Sequence, residues 1–351
     1  MSGYELQSNT SYSFPENGAH GKFIGIVDVT SSVGVEATSS SQLEIQLGLE
    51  PGYIHRRTGI NNRFYKATET TFLSLALDSV NKLILNTGIS PSDISALICA
   101  STTFDRNSPS LACQIMNFID PDGKNSDCFA VDVNAACSGY IYALSIAKDK
   151  LSALDTHDKK KFAIVVTNEV YSDYLGHSPS SDILFGDASS ATLIEVSDVV
   201  NDNWKAVLHK FHTGSIRDNN NSICIYSEGG IGKMSMNGFF VFENAVKTIS
   251  SSTETLLKQC ALSLDDIDLF VTHQANGKII DSISRKMNID KSKFYINISQ
   301  YGNTGASSVP LCLADIFNKG ERSDYGLKTV MTAFGSGFTF GTVFAELFVS
   351  L

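Results

Sequence analysis

The chain alternates short apolar runs with longer segments whose apolar residues recur at helical spacing. In residues 70–86 these apolar side chains fall on one face of a predicted helix: Leu73, Ala76, Val80, Leu83 and Ile84. The turn signal SPSD and the apolar run ALICAS come next, which predicts that this helix leads into a buried strand. The alternation continues to the C-terminus and is typical of an α/β protein whose helices cover a mostly buried sheet.

The same pattern predicts the other elements. Strands are predicted at CFAVDV, FAIVVTN and ATLIEV, and later at DLFVTHQ, FYINI, TVMTAF and TVFAELFV. Helices are predicted over residues 139–151, 240–260, 276–287 and 305–317.

Two pairs of segments indicate that one plan is used twice. SPSDISALICAST and SLDDIDLFVTHQ share a polar turn, Asp-Ile and a buried strand, while VDVNAACSGYIYAL and INISQYGNTGASSVPLCLA share a strand, a polar turn and a small-residue helix start. We therefore predict two duplicated halves rich in βαβ units, residues 22–197 and 198–351. Residues 1–21 form a separate N-terminal arm in this prediction.

Composition excludes several classes of protein. Hydrophobic residues make up 42% and charged residues 18% of the 351-residue chain, which suits a folded enzyme with a large core. The net charge of -10 and the lack of a basic run argue against nucleic-acid and anionic-membrane partners. The seven cysteines are odd in number and include no CxxC pair, which indicates reduced thiols. Because no signal peptide or long apolar segment is apparent either, we expect a cytoplasmic protein without a membrane anchor.

Cys137 follows a predicted strand in the segment DVNAACSGY and comes just before Ser138 and Gly139, where a helix is predicted to begin. A thiol at a helix N-terminus feels the positive end of the helix dipole, which lowers its pKa and favours the nucleophilic thiolate. Cys137 is therefore a candidate nucleophile. The alternative is a small buried residue beside Ala135 and Ala136, and that alternative applies to the other six cysteines as well.

Two polar residues occupy similar junctions in the second half. His273, in VTHQAN, ends the apolar strand LFV, and Asn303, in YGNTGASS, follows the predicted strand FYINI. Each residue alone also fits a structural role, His273 as a hydrogen-bonded core histidine and Asn303 as a turn residue. Together with Cys137 they supply a nucleophile and two hydrogen-bond donors, the minimum set for thioester chemistry.

These segments resemble a known family. DVNAACSGY, VTHQAN and YGNTGASS are similar to the cysteine, histidine and asparagine motifs of the β-ketoacyl-acyl-carrier-protein synthase III family. RRTGI, SPSLACQI, ILFGDASSA and FGSGFTFG are similar to other segments of the family and come in the same order. The resemblance covers residues 22–351 and rests on seven ordered motifs.

The resemblance implies a five-layered (αβαβα) thiolase-like fold, a homodimer and a two-stage reaction without a metal or permanently bound cofactor. Cys137 takes an acyl group from a coenzyme A or acyl-carrier-protein thioester, and the N–H groups of Cys137 and Ser336 form the oxyanion hole. A malonyl thioester then loses CO2 while His273 and Asn303 stabilise the enolate. The carbanion attacks the acyl-cysteine and gives a β-ketoacyl thioester.

The sequence departs from the family pattern at the positions expected to meet the thioester carrier. Tyr53 stands where members that use free coenzyme A have Trp, and residues 177–182 lack the Arg that completes the adenine clamp. The resemblance still implies coenzyme A contacts by Tyr53, Arg57 and Lys278. It also implies carrier-protein docking by a basic helix face: Lys278, Arg285 and Lys286. A further basic position of the family is Val241 here, which weakens that docking prediction.

Ser108 replaces a bulky Phe that closes the acyl pocket across the dimer interface in short-primer members. The resemblance therefore implies a deeper pocket that accepts medium, long or functionalised acyl groups, unless Phe104 or Leu111 fills the space. Two other functions stay open. One is a specialised relative that joins unusual acyl units or transfers them to oxygen or nitrogen, and the other is a non-catalytic partner subunit of a condensing pair.

Overall fold

The computed structural model describes residues 21–104, 106, 108–157, 159–229 and 231–351. The strands are β1 (Phe23–Val33), β2 (Glu36–Ser39), β3 (Asn62–Tyr65), β4 (Ile94–Ala100), β5 (Phe129–Val133), β6 (Phe162–Glu169), β7 (Ala188–Ser197), β8 (Ala206–Ser215), β9 (Ile223–Glu228), β10 (Ile231–Met236), β11 (Leu269–Thr272), β12 (Glu321–Gly335) and β13 (Thr339–Ser350). The α-helices are α1 (Ser40–Leu47), α2 (Tyr53–Thr58), α3 (Phe72–Thr87), α4 (Leu111–Ile119), α5 (Gly139–Ser152), α6 (Pro179–Asp182), α7 (Gly238–Gln259), α8 (Gly277–Met287), α9 (Ile298–Tyr301) and α10 (Ser308–Lys319). The arm predicted over residues 1–21 lies outside the described residues, except for Gly21.

The described part of the chain contains one large sheet with the strand order β11-β12-β13-β8-β1-β7-β6-β4-β5. In the first half, β5, β4 and β6 run parallel, and β7 and β1 continue the sheet antiparallel. In the second half, β11 and β12 run parallel, and β13 and β8 continue antiparallel. The two halves therefore repeat one order of strands, and they join where β1 meets β8 over two residue pairs.

The predicted strand FYINI is the one clear error among the predicted strands. Phe294 forms only an isolated parallel bridge to Phe270, at the position that corresponds to β5 in the first half. Further along, the backbone N–H of Asn297 donates to Oε1 of Gln274 at 3.2 Å instead of to a strand neighbour. A side chain thus replaces the strand ladder, and this substitution cannot be seen in a pattern of apolar residues.

The helices and the sheet form the layers that the resemblance implied. Helices α5 and α10 lie between the two halves and share one hydrophobic core with strands of both. Helices α3 and α4 pack on the outer face of the first half, and α7 and α8 pack on the outer face of the second. The result is the five-layered αβαβα arrangement. Among the described residues, none of the helices has the length and apolar character needed to cross a bilayer.

A small hairpin that the hydrophobic pattern does not reveal lies outside these layers. Strands β9 and β10 pair antiparallel from Ile223↔Met236 to Glu228↔Ile231. Asn237 follows the hairpin and caps α7, because its side-chain oxygen accepts the N–H of Phe240 at 3.2 Å. The hairpin and α7 together cover the cavity described next.

Candidate active site

Cys137, His273 and Asn303 line one cavity of about 550 Å³. Cys137 comes from the first half of the chain, and the other two residues come from the second. Cys137 follows β5, His273 follows β11, and Asn303 follows α9, so the fold brings together motifs that are far apart in sequence. This juxtaposition is what the three motifs predicted.

Cys137 lies in a short 3-10 turn, residues 136–138, between β5 and α5. The loop after β12 packs directly against this turn. A Cβ atom built on Gly335 would come within 2.7 Å of the backbone nitrogen of Cys137, so the close approach requires glycine there. The following residue, Ser336, lines the cavity, and its hydroxyl donates to the carbonyl of Ile223 at 2.6 Å. This contact ties the loop to the hairpin.

The electrostatic environment of Cys137 differs from the sequence-based prediction. Burial raises the pKa of the Cys137 thiol to about 12, and the negative charge of Glu169 acts in the same direction. The hydroxyl of Tyr171 hydrogen-bonds the sulfur and lowers the pKa by less than burial raises it. The prediction of a lowered pKa at the helix N-terminus is therefore wrong for the resting site, because burial raises the pKa of this thiol.

His273 follows β11 directly, and its N–H donates to the carbonyl of Thr332 at 2.7 Å. Burial lowers the pKa of His273 to about 3, so the imidazole is neutral at working pH. Its Nδ1 lies 2.6 Å from Oγ of Ser308, and Ser308 Oγ accepts the backbone N–H of Gln274 at 3.3 Å. No hydrogen bond among the described residues gives the Ser308 O–H another acceptor, so we assign it as the donor to Nδ1, which places the hydrogen of the neutral ring on Nε2. Ser308 was not singled out in the sequence, although it belongs to the YGNTGASS motif.

Asn303 is held by bonds to the ILFGDASSA segment. Its N–H donates to the carbonyl of Leu184 at 2.9 Å, and its carbonyl accepts the N–H of Gly186 at 3.0 Å. The side-chain oxygen accepts the N–H of Gly305 at 2.9 Å, which leaves Nδ2 as the donor that Asn303 offers to the cavity. Gly305 has a φ of 55°, in the left-handed region that glycine adopts readily.

Thr102 and Tyr171 line the cavity, and behind them lies a buried carboxylate that sequence reasoning missed. Glu169 ends β6, is fully buried, and accepts hydrogen bonds from the hydroxyls of Thr102 at 2.8 Å and Thr103 at 3.1 Å. Burial raises the pKa of Glu169 to about 7. The Tyr171 hydroxyl lies 3.2 Å from Oγ1 of Thr102. The sequence did contain a signal for Glu169, since it directly follows the predicted buried strand FAIVVTN. A buried charge requires polar partners, so a polar cluster could have been expected there.

The opposite side of the cavity is apolar. It is formed by the hairpin, by α7 and by neighbouring elements: Ile223, Ile225, Met234, Met236, Val241, Ala245, Ile249, Ile279 and Phe334. Val241 is thus a buried cavity residue and not part of a carrier-binding surface. Polar groups beside an apolar tunnel suit a ligand with a reactive carbonyl and a hydrocarbon chain.

The predicted carrier-contact residues lie near the mouth of this cavity. Helix α2 packs against the start of α8, where a Cβ on Gly277 would meet the carbonyl of Thr58 at 3.0 Å. The Arg57 guanidinium lies 5.8 Å from the centroid of the Tyr53 ring. Lys278 begins α8 two residues after Asn276, which lines the cavity. Tyr53, Arg57 and Lys278 therefore share one surface.

The remaining predicted positions are exposed. Lys278, Arg285 and Lys286 lie on the solvent side of α8. Ser108 is exposed and is not among the residues that line the cavity of its own chain. Phe104 packs on Phe72 with ring centroids 5.3 Å apart, and Leu111, the first residue of α4, is buried in the core of the first half. Phe104 and Leu111 do not line the cavity either.

A candidate nucleophile, two hydrogen-bond donors and an apolar tunnel within a duplicated five-layered fold define a thiolase-like acyl-condensing enzyme. Comparison with known proteins agrees. Residues 131–213 match the family model for 3-oxoacyl-[acyl-carrier-protein (ACP)] synthase III, and residues 257–347 match the model for its C-terminal part.

Individual relatives extend this similarity over nearly the whole chain. The β-ketoacyl-[acyl-carrier-protein] synthase III of Clostridium acetobutylicum is 34% identical over 91% of this chain and 97% of its own. The corresponding protein of Rhizorhabdus wittichii is 31% identical over 90% and 97%. The crystal structure of 3-oxoacyl-[acyl-carrier-protein] synthase III from Aquifex aeolicus has a TM-score of 0.79, 27% identity, and coverage of 92% and 99%. The chain belongs to the β-ketoacyl-acyl-carrier-protein synthase III family and is a condensing acyltransferase.

Proposed function

We propose that this enzyme accepts an acyl group on Cys137 and condenses it with a malonyl thioester, with His273 and Asn303 as the donors that stabilise the enolate. The observation that carries the proposal is that these three side chains line one cavity beside an apolar tunnel. The substrates are thioesters of coenzyme A or of acyl carrier protein, and the steps below need no metal ion.

In the first stage the sulfur of Cys137 attacks the acyl carbonyl, and the carrier thiol leaves. The charge that develops on the carbonyl oxygen meets the backbone N–H groups of Cys137 and Ser336. The tight packing of Gly335 against the nitrogen of Cys137 supports this oxyanion hole, because it keeps the two backbone segments adjacent.

In the second stage the bond between the malonyl α-carbon and its carboxylate breaks, and CO2 leaves. The electron pair delocalises onto the thioester oxygen, which accepts hydrogen bonds from Nε2–H of His273 and Nδ2–H of Asn303. The α-carbon then attacks the acyl-cysteine carbonyl, and the sulfur of Cys137 departs. A neutral His273 suits this role, since it donates a hydrogen bond without adding a full charge to the site.

We propose that the carrier arm and its protein meet the surface around α2 and α8. Tyr53 and Arg57 face the coenzyme A or pantetheine arm, and Lys278, Arg285 and Lys286 meet acidic groups of the carrier protein. The exposure of the four basic residues and the position of Lys278 two residues after the cavity residue Asn276 support this assignment. Charge reversal of Arg285 and Lys286 should weaken use of a carrier-protein thioester more than use of the same coenzyme A thioester.

We further propose that the enzyme is a cytoplasmic homodimer in which Ser108 of each subunit borders the acyl pocket of the other. Strand β5 supports a dimer, because it forms an edge of the sheet and exposes Phe129. Exposed edges of this kind are normally covered. With Ser at position 108 we expect a pocket for medium, long or functionalised acyl groups. We also propose that residues 22–197 and 198–351 are the two halves, since the boundary between them falls in the segment that connects β7 to β8.

The test is to measure acylation and condensation separately. Cys137→Ser should abolish the mass increase that an acyl donor produces on the wild-type protein. Asn303→Ala and His273→Ala should still be acylated but should condense about 10² to 10³ times more slowly, the usual effect of losing one such donor. A wild-type protein that is never acylated would point to a partner subunit, and an acyl-enzyme that releases no CO2 from malonyl thioesters would point to transfer without decarboxylation.

A further inference from the structure

We propose that Tyr171 and Thr102 form a proton path that carries the thiol proton of Cys137 to the buried carboxylate of Glu169. The path would generate the nucleophilic thiolate, and this inference rests on the proposed function of Cys137. Tyr171 acts as a catalytic residue in it, because its hydroxyl contacts the reacting sulfur. Glu169 acts through Tyr171 and Thr102 and is a positioning residue for the proton.

Cys137, Tyr171 and Thr102 line the same cavity. The Tyr171 hydroxyl is a hydrogen-bonding partner of the Cys137 thiol and lowers its pKa. That hydroxyl lies 3.2 Å from Oγ1 of Thr102, which is 2.8 Å from Oε2 of Glu169. Tyr171 is 1% exposed and Glu169 is fully buried, so bulk water does not compete at that end of the path, whereas Cys137 is half-buried and borders the cavity.

The directions of the bonds suit proton transfer. Thr102 donates to the carboxylate, and in the proposed path Tyr171 then donates to the Thr102 oxygen and accepts from the thiol. When each hydrogen moves one step towards Glu169, the S–H bond of Cys137 breaks and an O–H bond forms on Glu169. The order of donors is then reversed, and Tyr171 donates to the new thiolate. After acyl transfer the proton returns along the path to the departing thiolate of the donor, and Glu169 is a carboxylate again.

Burial explains why such a path is useful at this site. Loss of the thiol proton to solvent would leave two negative charges, on Cys137 and Glu169, in one desolvated region, and each raises the pKa of groups near it. Transfer within the path keeps the total charge constant, because Glu169 becomes neutral as Cys137 becomes charged. With a pKa raised by burial to about 7, Glu169 is a far better proton acceptor than an exposed carboxylate.

The groups packed around Glu169 come from several elements. Thr102 and Thr103 follow β4, the N–H of Ala306 precedes α10, and all three donate to the carboxylate. The titratable groups that face it are Tyr171, beyond the end of its own strand, and Cys137 before α5. The pH dependence expected here therefore belongs to this set of three ionisable side chains.

Alkylation of the full-length protein by iodoacetamide, followed by mass measurement at Cys137, tests the path without a thioester substrate. For the wild type we expect the rate to rise as Glu169 ionises, near pH 7, and then to level off. In Glu169→Gln, Thr102→Val and Tyr171→Phe this rise should disappear, and the rate at pH 8 should fall by about 10² or more, the lower range for proton transfer by a positioned side chain. Thr102→Ser keeps the hydroxyl and should restore the rise.

Thr103→Val is the matched control. It also removes one hydroxyl that donates to Glu169, but Thr103 is not in the path to Cys137, so the rise should persist with a shifted midpoint. If Glu169→Gln is alkylated as fast as the wild type or faster, the proposal is overturned. That result is expected if the charge of Glu169 only repels the thiolate, because glutamine removes the charge. Tyr171→Phe removes a single oxygen and serves the same purpose if Glu169→Gln does not fold.

Because alkylation needs no acyl donor, failure of this path and failure of the proposed function are distinguishable. A wild-type protein that is acylated and condenses normally, with alkylation that is unchanged in Thr102→Val, would refute the path alone. A normal pH profile of alkylation without any acylation would refute the function alone.

Discussion

Ser308→Ala should slow condensation while leaving acylation of Cys137 intact. In the wild type the Ser308 hydroxyl donates to Nδ1 of His273 over 2.6 Å, which places the ring hydrogen on Nε2, where the enolate oxygen needs it. Without this hydroxyl, the tautomer with its hydrogen on Nε2 leaves Nδ1 as a buried acceptor that has no donor. The tautomer with its hydrogen on Nδ1 offers the substrate only the lone pair of Nε2. The chemistry at Cys137 does not use this hydrogen.

The expected magnitude follows from that one bond. A neutral hydrogen bond contributes about 0.5 to 1.5 kcal/mol, so the active form of the ring loses about 1 kcal/mol relative to the inactive form. At about 1.4 kcal/mol for each factor of ten, condensation should fall roughly 5-fold, within a range of about 2-fold to about 12-fold, less than for His273→Ala. Because burial holds the pKa of His273 near 3, raising the pH from about 6 to about 8 should not restore the rate.

The assay compares release of CO2 from a malonyl thioester on pre-acylated enzyme with the rate of acylation itself. Ser307→Ala is the matched control, because Ser307 is equally buried but its hydroxyl donates to the carbonyl of Ala188 at 2.9 Å and not to His273. Condensation at the wild-type rate in Ser308→Ala, or an equal loss in both variants, would show that this hydroxyl does not select the form of the imidazole.

Three further predictions concern the pocket, the turn and pH. Ser108→Phe should reduce acylation of Cys137 by octanoyl and longer thioesters relative to acetyl thioesters, and unchanged chain-length preference would refute an open pocket bordered by the partner. Gly335→Ala should impair acylation and destabilise the fold by about 1 to 3 kcal/mol, since its Cβ would lie 2.7 Å from the nitrogen of Cys137. Glu169 binds its proton more tightly in the folded state, with a pKa of about 7 against an ordinary 4.5, so its effect on stability becomes unfavourable as the pH rises between these values. In denaturant unfolding, the free energy of unfolding of Glu169→Gln should therefore increase relative to that of the wild type by about 2 to 3 kcal/mol between about pH 5 and about pH 8. If the difference between the two proteins were the same at both pH values, it would contradict a strongly raised pKa of Glu169.

The sequence was sufficient for the parts of the fold that rest on local patterns. Helix α3 and strand β4 carry clear apolar periodicity, and the strand-to-helix junctions at Cys137 and His273 follow from the same pattern. Because strand ends of one sheet lie near each other, the sequence alone predicts that Cys137 and His273 meet.

Other features depend on contacts between distant segments and leave little local signal. The hairpin of β9 and β10 is short, and the ladder expected at FYINI is replaced by bonds to Gln274. The raised pKa of Cys137 arises from burial beneath elements of both halves, which a helix-dipole argument does not include. Glu169 and Tyr171 lie 32 or more positions from Cys137 in the chain, and only the folded sheet brings them together.

The meeting of two halves at this cavity links catalysis to completed folding. A nascent or cleaved chain that contains only the first half carries Cys137 but neither hydrogen-bond donor, and one that contains only the second half carries the donors without a nucleophile. Neither fragment can form and consume a reactive carbanion by itself. With the proposed roles of these residues, activity requires both halves to be folded and in contact, and it reports on their correct long-range assembly.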